Sequence, residues 1–185
     1  MLQWNKIGIP HKGWEYLGII DLFEDAYPNE CAVYIQCEMC GKERIRYVHL
    51  LKHAEYDGVM RVGCICASKM TNDYVTPQEK EQSIKNRMNR RRNFMKREWK
   101  FKPETGSYIL RYKGEYITIM RSKFGSGYGV IYRGEQRWKY QERKISDFFT
   151  AKIVAFELFE ELYKSKRQLN SNLDEMKLLG FKINH

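Results

Sequence analysis

Residues 37–67 read CEMCGKERIRYVHLLKHAEYDGVMRVGCICA, and the pattern in this segment predicts the fold of the first part of the chain. It opens with two cysteines that are separated by two residues and followed by a glycine, Cys37-Glu-Met-Cys40-Gly41. This spacing lets two thiolates reach one metal ion, and Gly41 permits the tight backbone turn after the second thiolate. The opening motif therefore predicts a metal-binding knuckle.

The residues between this knuckle and the last two cysteines predict a β-hairpin. Residues 44–51 (RIRYVHLL) alternate in the manner of a half-buried strand. A turn at residues 54–58 then returns the chain to Cys64 and Cys66, and a short helix is predicted to begin at or just after Cys66. A knuckle, a hairpin and ligands at a helix start are typical of a treble-clef-like zinc finger.

Four-coordinate zinc needs four nitrogen or sulfur ligands. The first three are predicted to be Cys37, Cys40 and Cys66. The fourth position is open between Cys64, His49 and His53, and Cys64 is favoured because residues two apart in an extended segment face the same side. A site of four thiolates is closed to substrate, so we expect a structural Zn²⁺ rather than a catalytic one. Cys31 is expected to pack in a strand.

The same stretch resembles a module found in uncharacterised bacterial and phage proteins, whose pattern is C-x2-C-G, IRYVH, a second histidine, and V-G-x-x-C-A. The resemblance implies metal binding, extends more weakly to the basic segment that follows, and supplies no reaction. The matching positions are Cys37, Cys40, Gly41, Ile45, Arg46, Tyr47, His49, His53, Val62, Gly63, Cys66 and Ala67.

The composition of the whole chain excludes some classes of protein. Its 185 residues are 43% hydrophobic and 14% aromatic, which is enough to bury a core and excludes wholesale disorder. The sequence has no run of about 18 apolar residues, and residues 1–10 lack the apolar region of a signal peptide, so we expect a soluble, cytoplasmic protein without a membrane partner. Five cysteines, an odd number, favour metal binding over disulfides in a reducing compartment.

The formal net charge of +10 is concentrated in one segment. Residues 1–75 carry a net charge of −2, residues 76–103 carry +7 and residues 104–185 carry +5. A concentrated basic segment favours a polyanionic partner, either DNA or RNA. These changes in composition predict a zinc-binding module at 1–75, a basic connecting helix at 76–102, a small α+β domain at 104–167 and a tail at 168–185.

The basic segment carries the signals of a long helix. Thr76 is a good N-cap, Pro77 suits the first helical position and Glu79 completes a capping box. An apolar stripe is predicted at Ile84, Met88, Met95 and Trp99. The side chains predicted to contact phosphates are Lys85, Arg87, Arg90, Arg91, Arg92, Lys96 and Arg97.

The C-terminal segment predicts an antiparallel sheet of four strands, at residues 107–112, 115–121, 127–133 and 136–141, followed by a helix at 148–167 capped by Ser146 or Asp147. One helix laid across such a sheet makes a small α+β domain. Tyrosines, Trp138 and arginines are interleaved along these strands, and two interpretations stay open. Exposed aromatics beside Arg stack bases, whereas buried aromatics fill the core.

Three functions are compatible with these patterns. The leading hypothesis is a zinc-stabilised, non-enzymatic protein that binds nucleic acid through the basic helix. The alternatives are a regulatory factor, of the kind that phages encode, that docks on an acidic partner protein, and a small metal-dependent nuclease. No catalytic residues are predicted, because the sequence carries no P-loop, G-x-S-x-G, H-E-x-x-H or dinucleotide-binding fingerprint.

Overall fold

The structure is a computed structural model that describes residue 4 and residues 8–23, 33–41, 44–123 and 125–178, with side chains as far as Ser165. The described residues form antiparallel sheets and three helices, which confirms the predicted α+β class. The chain divides into two compact units, Met1–Arg90 and Arg91–His185.

The first unit contains a three-stranded antiparallel sheet with the order β1-β2-β3. Its strands are β1 (Glu15–Asp21), β2 (Tyr47–His53) and β3 (Tyr56–Val62). Strands β2 and β3 form the predicted hairpin, whereas β1 was not anticipated as a strand. The segment before the knuckle, predicted as a strand, forms a single bridge from Ile35 to Ile45 in its described part.

Helix α1 (Cys64–Thr71) follows β3 directly and ends at Asn72, whose backbone is left-handed. Its buried side packs against the sheet in a core that includes Leu51, Met60 and Met70, each at most 1% exposed. The helix begins at Cys64, two residues before the predicted start. Cys64 and Cys66 therefore both lie in the helix.

Helix α2 (Thr76–Met95) starts where the sequence predicts and ends seven residues early. Thr76, predicted as the N-cap, is the first residue of the helix. The Asp73 carboxylate accepts hydrogen bonds from the N–H groups of Val75 and Thr76, both at 2.9 Å, and so pairs backbone donors at the helix start. Beyond Met95 the chain leaves the helix and leads to strand β4 (Lys100–Lys102), which pairs with residues 107–109. Strand pairing therefore overrides a sequence that has no helix breaker before Pro103.

The second unit contains a five-stranded antiparallel sheet with the order β4-β5-β6-β7-β8, one strand more than predicted. The further strands are β5 (Ser107–Tyr112), β6 (Glu115–Arg121), β7 (Tyr128–Tyr132) and β8 (Glu135–Arg137), and β9 (Lys139–Tyr140) pairs with β10 (Arg143–Lys144). Two-residue turns join β5 to β6 and β7 to β8. Their φ angles are 49° and 83° at Lys113-Gly114, and 53° and 84° at Arg133-Gly134, as in type I′ turns.

Helix α3 (Phe148–Leu178) covers one face of this sheet. The Asp147 carboxylate caps it and accepts hydrogen bonds from the Thr150 N–H at 2.8 Å and the Thr150 hydroxyl at 2.7 Å. The helix continues past residue 167, so part of the predicted tail is helical. None of the helices in the described ranges is long and apolar enough to cross a membrane.

The boundary between the two units does not follow the predicted segments. It falls inside α2, between Arg90 and Arg91, so this helix is not a separate connecting element. The last turn of α2 contributes Phe94 to the core of the second unit, where it is fully buried and its ring centroid lies 5.0 Å from that of Tyr112 and 5.5 Å from that of Phe156.

Replacing Phe94 with alanine should lower the free energy of unfolding by about 3–5 kcal/mol, because the change leaves a cavity in a closed core. The matched control is Tyr116→Ala, since Tyr116 is 65% exposed; we expect a change of about 0.5 kcal/mol or less. Urea denaturation monitored by circular dichroism measures both. Equal effects of the two substitutions would contradict the core described here.

Candidate metal centre

Three cysteines converge in the first unit. The Sγ atoms of Cys37, Cys40 and Cys66 all lie within 4.8 Å of one another. Cys37 and Cys40 belong to the knuckle, where Gly41 donates its N–H to the Cys37 carbonyl at 2.7 Å and has a φ of 68°. Cys66 lies in the first turn of α1. The knuckle and the helix thus bring together thiols that are far apart in sequence.

The surroundings of this cluster favour a thiolate at Cys37. The pKa of Cys37 is lowered to about 5, first by a hydrogen bond from Cys66 and then, against the effect of burial, by the backbone N–H groups of Gly63, Cys40 and Met39. The Gly63 N–H lies 3.5 Å from the Cys37 Sγ. The same hydrogen bond to Cys37 raises the pKa of Cys66, and burial adds to the rise. A thiolate is the form of cysteine that binds metal.

This donor set fits a thiophilic metal ion. Zinc–sulfur bonds are about 2.3 Å long, so two thiolates on a tetrahedral zinc ion lie about 3.8 Å apart. The three Sγ atoms lie within 4.8 Å of one another, which is compatible with that spacing. The described residues of the cluster supply three ligand atoms, and Cys31 lies outside the described residues.

Cys64, favoured from the sequence as the fourth ligand, is not part of this cluster. That expectation assumed an extended segment, in which residues two apart face the same side. Both Cys64 and Cys66 lie in helix α1, where successive residues are turned by about 100°, so these two side chains point in nearly opposite directions.

Cys64 belongs instead to a second group, with His49 and Glu81, whose ligand atoms also lie within 4.8 Å of one another. His49 is fully buried in β2 and bridges two partners: its Nδ1 lies 3.1 Å from the Tyr16 hydroxyl and its Nε2 lies 3.2 Å from Glu81 Oε2. Because an ionised carboxylate only accepts hydrogen bonds, His49 donates from Nε2 and accepts from Tyr16 at Nδ1. Glu81 also accepts from Lys85, at 2.6 Å.

The charges in this second group balance internally. Burial lowers the pKa of His49, which keeps its ring neutral. Although burial opposes its ionisation, Lys85 and His49 hold the pKa of Glu81 below its ordinary value. Burial and the Glu81 carboxylate raise the pKa of Cys64 to about 11. The group is therefore a hydrogen-bonded network with a protonated thiol, unlike the thiolate-favouring cluster around Cys37.

His53, the other candidate for the fourth ligand, belongs to neither group. Its ring centroid lies 5.3 Å from that of Trp14, and its Nδ1 accepts the Glu55 N–H at 3.0 Å. Sequence reasoning missed Glu81, because the helix that carries it was assigned only a basic role. Its position four residues before Lys85 was the signal that could have found it. An acidic side chain among cations at this spacing is the signal of an ion pair.

Both groups contribute to one open pocket of about 620 Å³ in the first unit. Its lining includes all three clustered cysteines together with Cys64 and Glu81. Four basic side chains also line it: Arg44, Arg46, Lys69 and Lys85. Two of them are neutralised, because Arg46 donates to both oxygens of Asp21 at 2.8 Å and Lys85 pairs with Glu81.

The basic side chains predicted on α2 differ in exposure. Arg91 is buried, with 8% of its surface exposed, and Arg87 and Arg90 are half-buried and already make interactions. Only the last three residues of the predicted set are exposed: Arg92, Lys96 and Arg97. Consecutive residues on a helix point in different directions, so the side chains of Arg90, Arg91 and Arg92 cannot all lie on one surface.

Comparison of the chain with protein-family models, with curated proteins and with solved structures finds no match. The resemblance of residues 37–67 to a bacterial and phage module stays a prediction.

The placement of the cysteines makes a direct prediction about bound metal. Cys66→Ser should abolish or strongly reduce the metal bound per chain, because it removes one of the three clustered thiols that could hold the ion. The matched control, Cys64→Ser, is only two residues away on the same helix and should retain the metal. Elemental analysis of the purified proteins by mass spectrometry measures both. Loss of metal in Cys64→Ser and retention in Cys66→Ser would contradict the assignment.

Proposed function

We propose that this protein is a zinc-stabilised nucleic-acid-binding protein without enzymatic activity. The observation that carries the proposal is a series of exposed basic side chains in the second unit, between residues 92 and 102. They are Arg92, Lys96, Arg97, Lys100 and Lys102. The only acidic residue in this segment is Glu98.

These five side chains are available to a partner. Within the ranges that the structure describes, none of them makes an ion pair. Cations that have no internal partner and lie close together attract phosphates, and the binding energy comes largely from released counterions. Phosphate contacts of this kind position a nucleic acid without reading its sequence.

The proposed contact segment differs from the one expected from the sequence. It keeps Arg92, Lys96 and Arg97 and leaves out the earlier part of α2, where Lys85 pairs with Glu81 and Arg91 is buried. It adds two lysines of strand β4, Lys100 and Lys102, which the sequence placed on a longer helix. The basic segment is therefore the end of α2 and the edge strand that follows.

Zinc is proposed as the metal of the cysteine cluster. Thiolates are soft ligands that favour zinc over magnesium or calcium, and zinc accepts a tetrahedral set of three or four thiolates. Cys37, Cys40 and Cys66 would hold the ion and so tie the knuckle to helix α1. Bound there, zinc would supply folding free energy to the first unit.

Removal of the metal should affect the two units differently. After chelation we expect amide protons of β2, β3 and α1 to exchange much faster, because a structural zinc site is coupled to the fold around it. Amide protons of β5, β6 and β7 lie in the other unit and serve as an internal control with unchanged rates. Hydrogen-exchange mass spectrometry measures both sets. Unchanged exchange in β2, β3 and α1 would contradict a structural metal.

Nucleic-acid binding is tested by reversing charges in the proposed segment. The double variant Arg92→Glu with Lys96→Glu should bind a single-stranded oligonucleotide more weakly. The slope of the logarithm of its affinity against the logarithm of salt concentration should fall by about 1.4, since each phosphate contact contributes about 0.7. Fluorescence anisotropy across a salt series measures both quantities.

The control for this experiment changes the same net charge elsewhere on the protein. Lys12 and Lys52 are exposed lysines of the first unit, and Lys12→Glu with Lys52→Glu should leave the salt slope unaltered. Equal losses in the two double variants would show that net charge alone attracts the oligonucleotide. Failure of the unmodified protein to bind single-stranded or duplex nucleic acid would overturn the proposal and favour an acidic protein as the partner.

A further inference from the structure

We infer that one face of the five-stranded sheet binds single-stranded nucleic acid by stacking bases on Tyr116 and Trp138. This face, called the open face here, lies opposite the face that α3 covers. The inference rests on the proposed function and adds to it a contact surface and a preferred form of nucleic acid.

Alternation along the central strand β6 defines the open face. Ile117 and Ile119 are fully buried in the core formed with α3. Successive side chains of a strand point to opposite faces, so Tyr116, Thr118 and Met120 lie on the open face. Tyr116 is 65% exposed, whereas Tyr132 of the neighbouring strand is 1% exposed in the core. Tyr132 therefore fills the core, whereas Tyr116 lies at the surface.

Two neighbouring grooves run along the open face. The first, of about 550 Å³, is lined by Tyr116 and Thr118, and the second, of about 630 Å³, is lined by Met120 and Trp138. Tyr116 and Met120 are four residues apart on one strand, a distance of about 13 Å. The surface is therefore long enough for a short stretch of an extended single strand.

The lining of both grooves is basic. It contains seven Lys or Arg side chains and, among the described residues, no Asp or Glu. The first groove has Lys100, Lys102 and Arg111, and the second has Arg121, Lys123, Lys139 and Lys144. Two of these, Lys100 and Lys102, also belong to the basic segment proposed above. A face of this charge complements a phosphate backbone.

Trp138 is held in position as a flat platform. It lies against Gly129, which pairs with Met120, and a β-carbon added at position 129 would come within 2.5 Å of the Trp138 ring. A glycine inside a strand is typical of such a close approach. The Trp138 Nε1–H also donates to Gln136 Oε1 at 3.4 Å, and the side chain stays 38% exposed. A ring positioned before binding loses little conformational entropy when a base stacks on it.

Tyr116 combines an aromatic surface with a cation. The guanidinium carbon of Arg111 lies 5.9 Å from the centroid of the Tyr116 ring, and the two residues are directly paired across β5 and β6. Tyrosine and arginine both stack on exposed bases, and Arg also neutralises the adjacent phosphate. This pair therefore offers a second stacking position on the same face as Trp138.

The aromatic residues favour a single strand over a duplex. In a duplex the faces of the bases are covered by their neighbours, and only phosphates and groove edges are accessible. Exposed aromatic side chains gain stacking energy only from bases that are unstacked. An acidic peptide would satisfy the cations of the open face but would make no comparable use of Tyr116 and Trp138.

Binding to labelled oligonucleotides of about 16 nucleotides tests this inference. Full-length protein is titrated by fluorescence anisotropy with single-stranded DNA, single-stranded RNA and a duplex of the same sequence. Single strands should bind more tightly than the duplex. Tyr116→Ala and Trp138→Ala should each weaken single-strand binding about 5- to 150-fold, the fold-change that corresponds to the usual energy of one stacked base. Tyr116→Phe keeps the ring and should retain the affinity.

Phe101→Ala is the matched control. Phe101 is also an exposed aromatic residue, at 48%, but it alternates with Lys100 and Lys102 and contacts Tyr108 on the face covered by α3. Its replacement should leave binding unchanged. Circular dichroism checks the fold of every variant. If Trp138→Ala is misfolded, the result for Tyr116→Ala alone tests the inference. The Tyr116 side chain lies largely in solvent, so we expect this variant to fold.

The outcomes separate this inference from the proposed function. If the unmodified protein binds neither single strands nor duplex, both are overturned. If it binds but Tyr116→Ala and Trp138→Ala bind equally well, the inference is wrong and the proposed function stands. Tighter binding of the duplex than of the single strands likewise overturns the inference alone.

Discussion

The contact between Cys37 and Cys66 is the interaction on which the organisation of the first unit depends. One thiol comes from the knuckle before the β2–β3 hairpin and the other from the helix after it, so their contact closes the hairpin into a compact loop. The hydrogen bond from Cys66 lowers the pKa of Cys37 and favours a thiolate there, beside two further sulfur atoms. Met39 and Ala67, next to these cysteines in sequence, are both fully buried. Burial of the chain on both sides of the contact thus adds to it, and a bound ion would strengthen it further.

A different constraint governs the second unit. Its sheet has two faces and α3 covers one of them, where Phe156 and Phe159 pack on Ile117, Ile119 and Val130. Lys and Arg side chains are costly to bury without partners, so they accumulate on the face that the helix does not cover. The basic character of the open face follows from this division of the sheet. The same division leaves Tyr116 and Trp138 exposed, while Tyr108, Tyr112 and Tyr128 pack on the core.

The sequence patterns were informative wherever the interaction is local. The spacing of Cys37 and Cys40 identified the knuckle, and Asp147 was one of the two residues predicted to cap α3. Alternation located β5, β6 and β7 to within one residue. Prediction was poorer where the direction of a side chain depends on the backbone. Cys64 was assigned to the metal because an extended segment was assumed, and a helix that begins two residues earlier turns it toward His49 and Glu81.

From the sequence alone followed the α+β class, the three clustered cysteines Cys37, Cys40 and Cys66, and the concentration of positive charge after residue 75. These properties depend on residue type and short spacing, which tertiary contacts do not alter. The tertiary structure alone decided which arginines and aromatic residues are exposed, where α2 ends and which histidine meets Cys64. The exposure of a side chain and its contacts with residues distant in sequence depend on how the helices and strands pack. A local sequence pattern does not specify that packing.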